Sequence, residues 1–488
     1  MNNPVSIEYP GAEYDAQWKA ALEPTDYTNP TPKSRYHLAV IGAGPAGLIS
    51  SIGAAGLGAN VALIERHRMG GDCLNVGCVP SKCLLAYSAE HPGDFDGAFE
   101  HLRRVRASIA PHDSVDRYTE AGADVFLGDA SFAADGSLRV GDTVINARRY
   151  AICTGAAAAV PPIPGLREAR PLTNESIFEL RARPARLAVL GGGPIGCELA
   201  QAFARLGVEV HLFEMADQVL ALEPAAASIA VAEALTASGV TLHLGAGVQS
   251  VERAAEDGPV VVDNGETRIE ADEVLVALGR RPNTDGLNLD AVGVKLSDRG
   301  LIEVDAKLRT ANAKIYAAGD CAAQLQFTHH ADAQARALIQ NTLFAPTAKV
   351  DALVVPHSTY TSPEVSGVGQ TPAQLDAAGV AFDTYRVRFD ELDRGKAESD
   401  DVGFAEVWTA SGTDKILGAV IVGHDAGEQL SPICLLMSNG LGLAAAGKTI
   451  FAYPTRSEYL KRLADAYNRT RFTPLAQSLA ARWFRWRA

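Results

Sequence analysis

Residues 70–83 read GGDCLNVGCVPSKC. Two cysteines, Cys73 and Cys78, lie five positions apart in a glycine-rich stretch, and Lys82 follows four positions after the second. Three chemistries suit such a pair: inert buried thiols, metal ligands, or a disulfide that opens and closes. A structural zinc site takes four ligands, usually as two closely spaced pairs. The other cysteines (83, 153, 197, 321 and 434) supply no second pair, so no metal site is expected. Inert core cysteines would not call for the flanking Gly-Gly and Pro-Ser-Lys. A large cytosolic protein keeps thiols reduced unless a pair does redox work. Lys82 adds a cation, and a cation beside a thiol stabilises the thiolate. Cys83 has no place in this pattern and reads as a core thiol.

The elements that must position these residues come from an internal duplication. Residues 37–65 read HLAVIGAGPAGLISSIGAAGLGANVALIE, and residues 186–214 read RLAVLGGGPIGCELAQAFARLGVEVHLFE. They align without a gap. Each copy opens with an apolar run suited to a buried parallel strand. G-x-G-x-x-G follows, then an Ala-rich helical stretch and a second apolar strand ending in Glu. This is a βαβ unit of about 30 residues. Gly42 and Gly191 allow the tight turn from strand to helix. Gly44 and Gly193 let a pyrophosphate approach the backbone at the helix N-terminus. Gly47 and Gly196 allow close packing of helix on strand. Glu65 and Glu214 lie roughly 20 residues past the first Gly, where a carboxylate accepts the hydroxyls of an adenosine ribose. The chain therefore carries two dinucleotide sites on an α/β fold with two Rossmann-like domains.

The two sites differ. Glu214 would repel a 2′-phosphate, and no Arg or Lys occurs from 215 to 221 to receive one. The second site is expected to take NADH, with NADPH disfavoured. The first lies beside the cysteines and is expected to hold FAD. Two further strand ends fit a flavin: AICTGA (151–156), closing in Thr154 and Gly155, and KIYAAGD (314–320), closing in Gly319 and Asp320. A carboxylate at such a strand end can bond a ribityl chain.

Together GGDCLNVGCVPSK, the two βαβ units, ALGRRPNT (277–284), AAGD and TSPEVSGVG (361–369) resemble the pyridine nucleotide–disulfide oxidoreductases. That family includes glutathione reductase, dihydrolipoamide dehydrogenase and mercuric reductase. The resemblance covers roughly residues 36–470. It implies an FAD domain in two parts (36–158 and 282–350), an inserted NAD domain (159–281) and a C-terminal α+β dimerisation domain (351–470). It also implies a homodimer whose active site is shared between subunits. Matched by motif, Cys78 is the thiol beside the flavin and Cys73 the interchange thiol that meets the acceptor. Lys82 is a lysine near the flavin ring, Glu198 is its acidic partner, and Gly279 is a cofactor-binding glycine.

One position departs from the thiol reductases. Their C-terminal segment has the form H-P-T-x-S-E, whose His–Glu pair protonates a departing thiol. Here residues 451–458 read FAYPTRSE, with Glu458 kept and Tyr453 at the His position. An ordinary Tyr has a pKa near 10, against about 6.5 for His. Mercuric reductases resemble this chain in that Tyr, but the C-terminal cysteine pair that relays Hg(II) is missing after Cys434. The expected acceptor is thus one that needs little protonation: a low-pKa disulfide, an oxidised sulfur species or a thiophilic metal. The alternatives are a dihydrolipoamide dehydrogenase-like or mercuric reductase-like enzyme, or a diaphorase or quinone reductase with vestigial cysteines. His329, His330 and His357 are not assigned to the chemistry.

Composition sets the outer limits. The chain has 488 residues, 47% hydrophobic, which is enough for several domains. A net charge of −14 argues against nucleic acid as partner. No apolar run reaches the roughly 18 residues of a membrane span. The N-terminus lacks a secretory pattern, so a cytoplasmic location is expected. Residues 1–35 form a Pro-rich extension whose aromatics Tyr9, Tyr14, Trp18 and Tyr27 suggest packing on the body. Residues 471–488 form a basic aromatic tail, helical after Pro474, suited to a membrane surface, a partner or docking on its own dimer.

Overall fold

The computed structural model describes residues 9–255 and 258–487. The first eight residues of the extension, with Pro4, lie outside the described residues. The chain divides into two compact units. The first comprises Met1–Gly191, Leu199–Met215 and Ala246–Ala352. The second comprises Gly192–Glu198, Ala216–Gly245 and Leu353–Ala488.

The first unit is built on a five-stranded parallel sheet. Its order is Ile315–Ala317, Ala147–Ile152, Tyr36–Ile41, Val61–Glu65 and Ala123–Leu127. The buried positions of these strands are apolar because both faces are covered, while His37 and Arg148 take exposed positions. Leu38, Val40, Leu63 and Val125 enter one core, and Ala39, Ile41, Ile64 and Phe126 enter the other. This is the two-residue alternation of a strand buried on both sides. Helix Pro45–Gly56 connects the two central strands, and helix Thr328–Leu343 packs on it where Gly53 leaves room for Ile339. The same unit holds the parallel trio Glu209–Glu214, Arg186–Leu190 and Glu273–Val276. The strand pair Ala156–Ala158 and Arg280–Pro282 sets Arg280 opposite Ala158, and the Arg280 guanidinium reaches the carbonyl of Ala156.

Part of the N-terminal extension is helical, Ala12–Leu22. Trp18 is fully buried, and the Tyr27 hydroxyl donates to the carbonyl of Val125. The extension is thus part of the first unit's core.

The second unit has a five-stranded antiparallel sheet. Its order is Pro356–Thr359, Glu364–Gly369, Ile416–Gly423, Phe404–Ala410 and Phe382–Arg388. Helices Ala426–Ser438 and Glu458–Thr470 cover it, burying Leu430, Ile433, Tyr459 and Leu463 against Val407 and Ile421. Helix Pro474–Arg487 follows and has no buried residue. Among the described residues, no helix is long and apolar enough to cross a membrane.

Candidate active site

The cysteine segment is two helices joined at a glycine. Gly71–Asn75 makes one short helix, Gly77 turns the chain, and Cys78 opens a helix running to Glu90. Gly71 has φ +60°, and a Cβ there would strike the backbone of Gly44. The cysteine segment is therefore pressed against the first glycine-rich turn, which is why a glycine is needed there.

The structure brings Cys73 and Cys78 together as a dithiol in hydrogen-bond contact. Cys73 is half-buried and Cys78 is exposed. The bond to Cys78 raises the Cys73 thiol above its ordinary value, and burial raises it further. The Cys78 sulfur lies 3.6 Å from the Thr328 hydroxyl, which also bonds Cys73. Cys78 and Thr328 each occupy the first position of a helix, of 13 and 16 residues. Both N-termini favour negative charge on the pair. Lys82 lies one helical turn beyond Cys78, and its ammonium donates to Ser81 Oγ at 3.4 Å. Cys83 is buried, which pushes its thiol up to about 11 and suits an inert role.

Around this pair the residues expected to hold FAD form a lined cradle. Gly42 has φ +102° and backs onto Cys153 and Thr154, while Gly47 backs onto the carbonyl of Gly42. A Cβ on Gly44 would meet only the Gly71 Cα at 3.6 Å, and one on Gly155 or Gly279 would meet nothing within 4 Å. Those three glycines face open space. No side chain caps helix Pro45–Gly56, so its first N–H groups stand ready for a phosphate. Glu65 accepts from the backbone N–H of Ala43 at 2.7 Å and of His67 at 2.8 Å. Its carboxylate retains lone pairs for a ribose. Burial raises the Glu65 carboxyl, and these two bonds oppose that shift. Thr154 Oγ1 donates to the carbonyl of Asn283 at 2.6 Å, while Asn283 returns a bond to Thr154 O at 3.0 Å. The Gly319 N–H donates to Gln334 at 2.7 Å. Asp320 is raised by burial and held down by Arg280, 3.5 Å away. These open glycines, the uncapped helix and the strand-end carboxylate fit FAD.

Arg280 was not singled out by sequence reasoning. Its guanidinium pairs with both Asp72 and Asp320 and donates to the carbonyl of Ala156 at 2.6 Å. It ties the cysteine segment to the Asp320 strand end. The available signals were ALGRRPNT, of which only Gly279 was used, and the Asp of GGDC. Thr328 was also missed, since nothing local distinguishes it.

The second glycine motif has residues in each of the two units. Gly191 has φ +110° and backs onto the carbonyl of Ala277, and Glu214 ends its strand within the first unit. In the second unit, Gly193 faces open space and Gly196 lies in helix Pro194–Arg205. Buried Glu198 accepts the Tyr360 N–H at 2.9 Å.

Also in the second unit, Tyr453 is 71% exposed. Its hydroxyl donates to Asp393 at 2.8 Å, and that carboxylate pushes the phenol above its ordinary range. Glu458 instead takes Arg462 as partner, at 2.8 Å, one turn along the same helix. Tyr453 and Glu458 have separate partners. His357 pairs with Glu223 at 2.6 Å, and His330 bonds Leu325 O and Gln334.

Comparison with known proteins gives the class. The family model described as "Pyridine nucleotide-disulphide oxidoreductase" matches residues 36–335, and that family's dimerisation domain matches residues 355–464. The chain belongs to the class I pyridine nucleotide–disulfide oxidoreductases and is an enzyme of this FAD-dependent, pyridine nucleotide-using family. It is 34% identical to mercuric reductase of Staphylococcus aureus over 452 residues, covering 89% of this chain and 83% of that one. It is 34% identical to dihydrolipoyl dehydrogenase of Chlamydia muridarum over 440 residues, covering 86% and 94%. It is also similar to the Cu(II) complex of the HOCl-induced flavoprotein disulfide reductase RclA from Escherichia coli. That match has a TM-score of 0.82 and 30% identity, covering 89% of this chain and 100% of that one.

Proposed function

We propose that this enzyme draws an electron pair from NADH through FAD into Cys73–Cys78 and delivers it to a thiophilic metal ion of the Cu(II) type. The observation that carries this reading is the state of Tyr453. Its phenol is exposed, donates to Asp393 and is pushed upward, so it is a poor base or proton relay near neutral pH. A departing thiolate calls for a proton, and a reduced metal ion leaves without one. The RclA Cu(II) complex supports the same acceptor class.

In the transfer itself, the Cys73 and Cys78 sulfurs each give one electron. An S–S bond forms, two Cu(II) ions become two Cu(I) ions, and the two thiol protons go to solvent. Bound FAD would supply the two-electron relay that reopens the disulfide at the expense of NADH. Gly42, Gly44 and Gly47 would hold its pyrophosphate and Glu65 its adenosine ribose. Thr154, Gly155, Gly279, Gly319 and Asp320 would line the rest of its site. Lys82 keeps positive charge one helical turn from Cys78. Gly191, Gly193, Gly196 and Glu214 take the second dinucleotide, and the Glu214 carboxylate favours NADH over NADPH. This reading keeps residues 36–158 and 282–350 as the FAD domain and 159–281 as the NAD domain. It sets residues 351–470 as the interface of a homodimer, with Tyr453 and Glu458 of each subunit serving the other's cysteines.

The test is an anaerobic acceptor screen with NADH on the wild type and Cys78→Ala. Chelated Cu(II), with Cu(I) trapped by a colorimetric ligand, is compared with lipoamide and glutathione disulfide. Copper reduction that depends on Cys78 is expected. Full copper reduction by Cys78→Ala would favour the diaphorase alternative and sink the proposal.

A further inference from the structure

The N-terminal helix Ala12–Leu22 lies outside both family matches, which cover residues 36–335 and 355–464. Its side chains nonetheless reach the six-residue segment that carries the two cysteines. The indole N–H of Trp18 donates to Asn75 Oδ1 at 2.8 Å. Asn75 lies between Cys73 and Cys78, and its amide nitrogen donates to the carbonyl of Met69 at 3.0 Å. Arg106 holds the same residue by its backbone, donating to Asn75 O at 3.1 Å. Arg106 is in turn fixed by the extension. It pairs with Asp15 at 2.8 Å, and its guanidinium lies 3.7 Å over the Trp18 ring. Trp18 and Arg106 are fully buried, and Asp15 and Asn75 nearly so. The Met69 N–H also donates to Leu22 O, at the end of the helix.

We propose that this helix is a positioning clamp for the redox pair, with Trp18, Asp15 and Arg106 as positioning residues acting through Asn75. The inference rests on Cys73–Cys78 being a redox couple. Closing the disulfide releases two protons and two electrons and fixes the loop covalently, whereas the open dithiol is held only by its surroundings. The clamp keeps the sulfurs in contact while the pair is open, so closure loses little further freedom. Loosening it lets the dithiol spread over more conformations and shifts the equilibrium toward the dithiol.

Trp18→Phe keeps an aromatic ring beside Arg106 and removes the N–H donor together with part of the buried indole. The measurement is the equilibrium of the couple in glutathione buffers: dithiol plus glutathione disulfide giving disulfide plus two glutathiones. A loss of one net hydrogen bond predicts a three- to tenfold fall in that constant. Tenfold corresponds to about 30 mV for a two-electron couple. Asp15→Asn, which weakens the hold on Arg106, should shift the constant in the same direction. The rate of NADH reduction of ferricyanide, which bypasses the pair, reports general damage. The proposal is overturned if both variants keep the wild-type constant. It is also overturned if ferricyanide reduction falls in step with the change, because the helix is then only a stabilising brace. A wild type with no dithiol–disulfide couple would defeat the redox reading itself, a separate and recognisable result.

Discussion

Replacing Tyr453 with histidine should restore thiol-reductase chemistry while leaving metal reduction nearly untouched. At pH 7 a phenol of ordinary pKa is ionised to only about one part in 1,000. Asp393 depresses that fraction further by accepting the phenol's hydrogen bond at 2.8 Å. An imidazole near its ordinary value of 6.5 is about three-quarters neutral at the same pH, so both proton states are available. A well-placed acid–base group contributes roughly 10²–10⁴-fold. The introduced ring would find Glu458 engaged with Arg462 at 2.8 Å, so it would lack the orienting carboxylate of a complete pair. The lower end, about 10²-fold, is therefore the expected gain in kcat/KM for lipoamide. Copper reduction should change by no more than about twofold, because that step uses no such proton relay. Stopped-flow and steady-state NADH consumption on both acceptors measure the contrast. The reasoning fails if Tyr453→His gives no gain on lipoamide. It fails equally if the wild type already turns over lipoamide at the 1–10³ s⁻¹ of ordinary enzymes.

Further outcomes follow from the same geometry. Arg280→Met leaves Asp72 and Asp320 without their shared cation; the three side chains are only partly buried, so the loss is smaller than for a fully buried pair. Denaturant melts should show that loss together with a fall in bound flavin, and Arg280→Lys should recover part of both. After reduction by NADH, alkylation at pH 8 followed by peptide mass spectrometry should label Cys78, whose side chain is exposed. Cys83 and Cys321 should stay unlabelled, since burial pushes each thiol up to about 11; labelling of either would contradict their inert assignment. Glu214→Arg should narrow or reverse the preference for NADH over NADPH in kcat/KM, and an unchanged ratio would remove Glu214 from the specificity argument.

Much of the site was legible in the sequence because its logic is local. The glycine turns at Gly42 and Gly191 announce themselves by spacing, and the structure gives both positive φ with backbone directly behind them. The pairing of Cys73 with Cys78 was likewise suggested by their own segment. What could not be read were partners far away in the chain. Thr328 meets Cys78 across 250 positions, and Arg280 meets Asp72 across 208. Such contacts depend on how the sheet orders its strands, which no local pattern encodes. The extension shows the same limit. Its aromatics suggested packing, but that Trp18 would bond Asn75 required the fold. At Tyr453 the sequence showed the exchange for His, while the bond to Asp393 and the engagement of Glu458 with Arg462 emerged only in three dimensions.

The central claim is that Cys73 and Cys78 form a redox couple electronically joined to the flavin. Anaerobic titration of the FAD-loaded enzyme with NADH, followed by absorbance, tests it most directly. The account predicts a long-wavelength thiolate-to-flavin band after the first two electrons, with two thiols becoming titratable and the band absent in Cys78→Ala. Direct bleaching of the flavin by the first equivalent of NADH, with no such band and no new thiols, would contradict it.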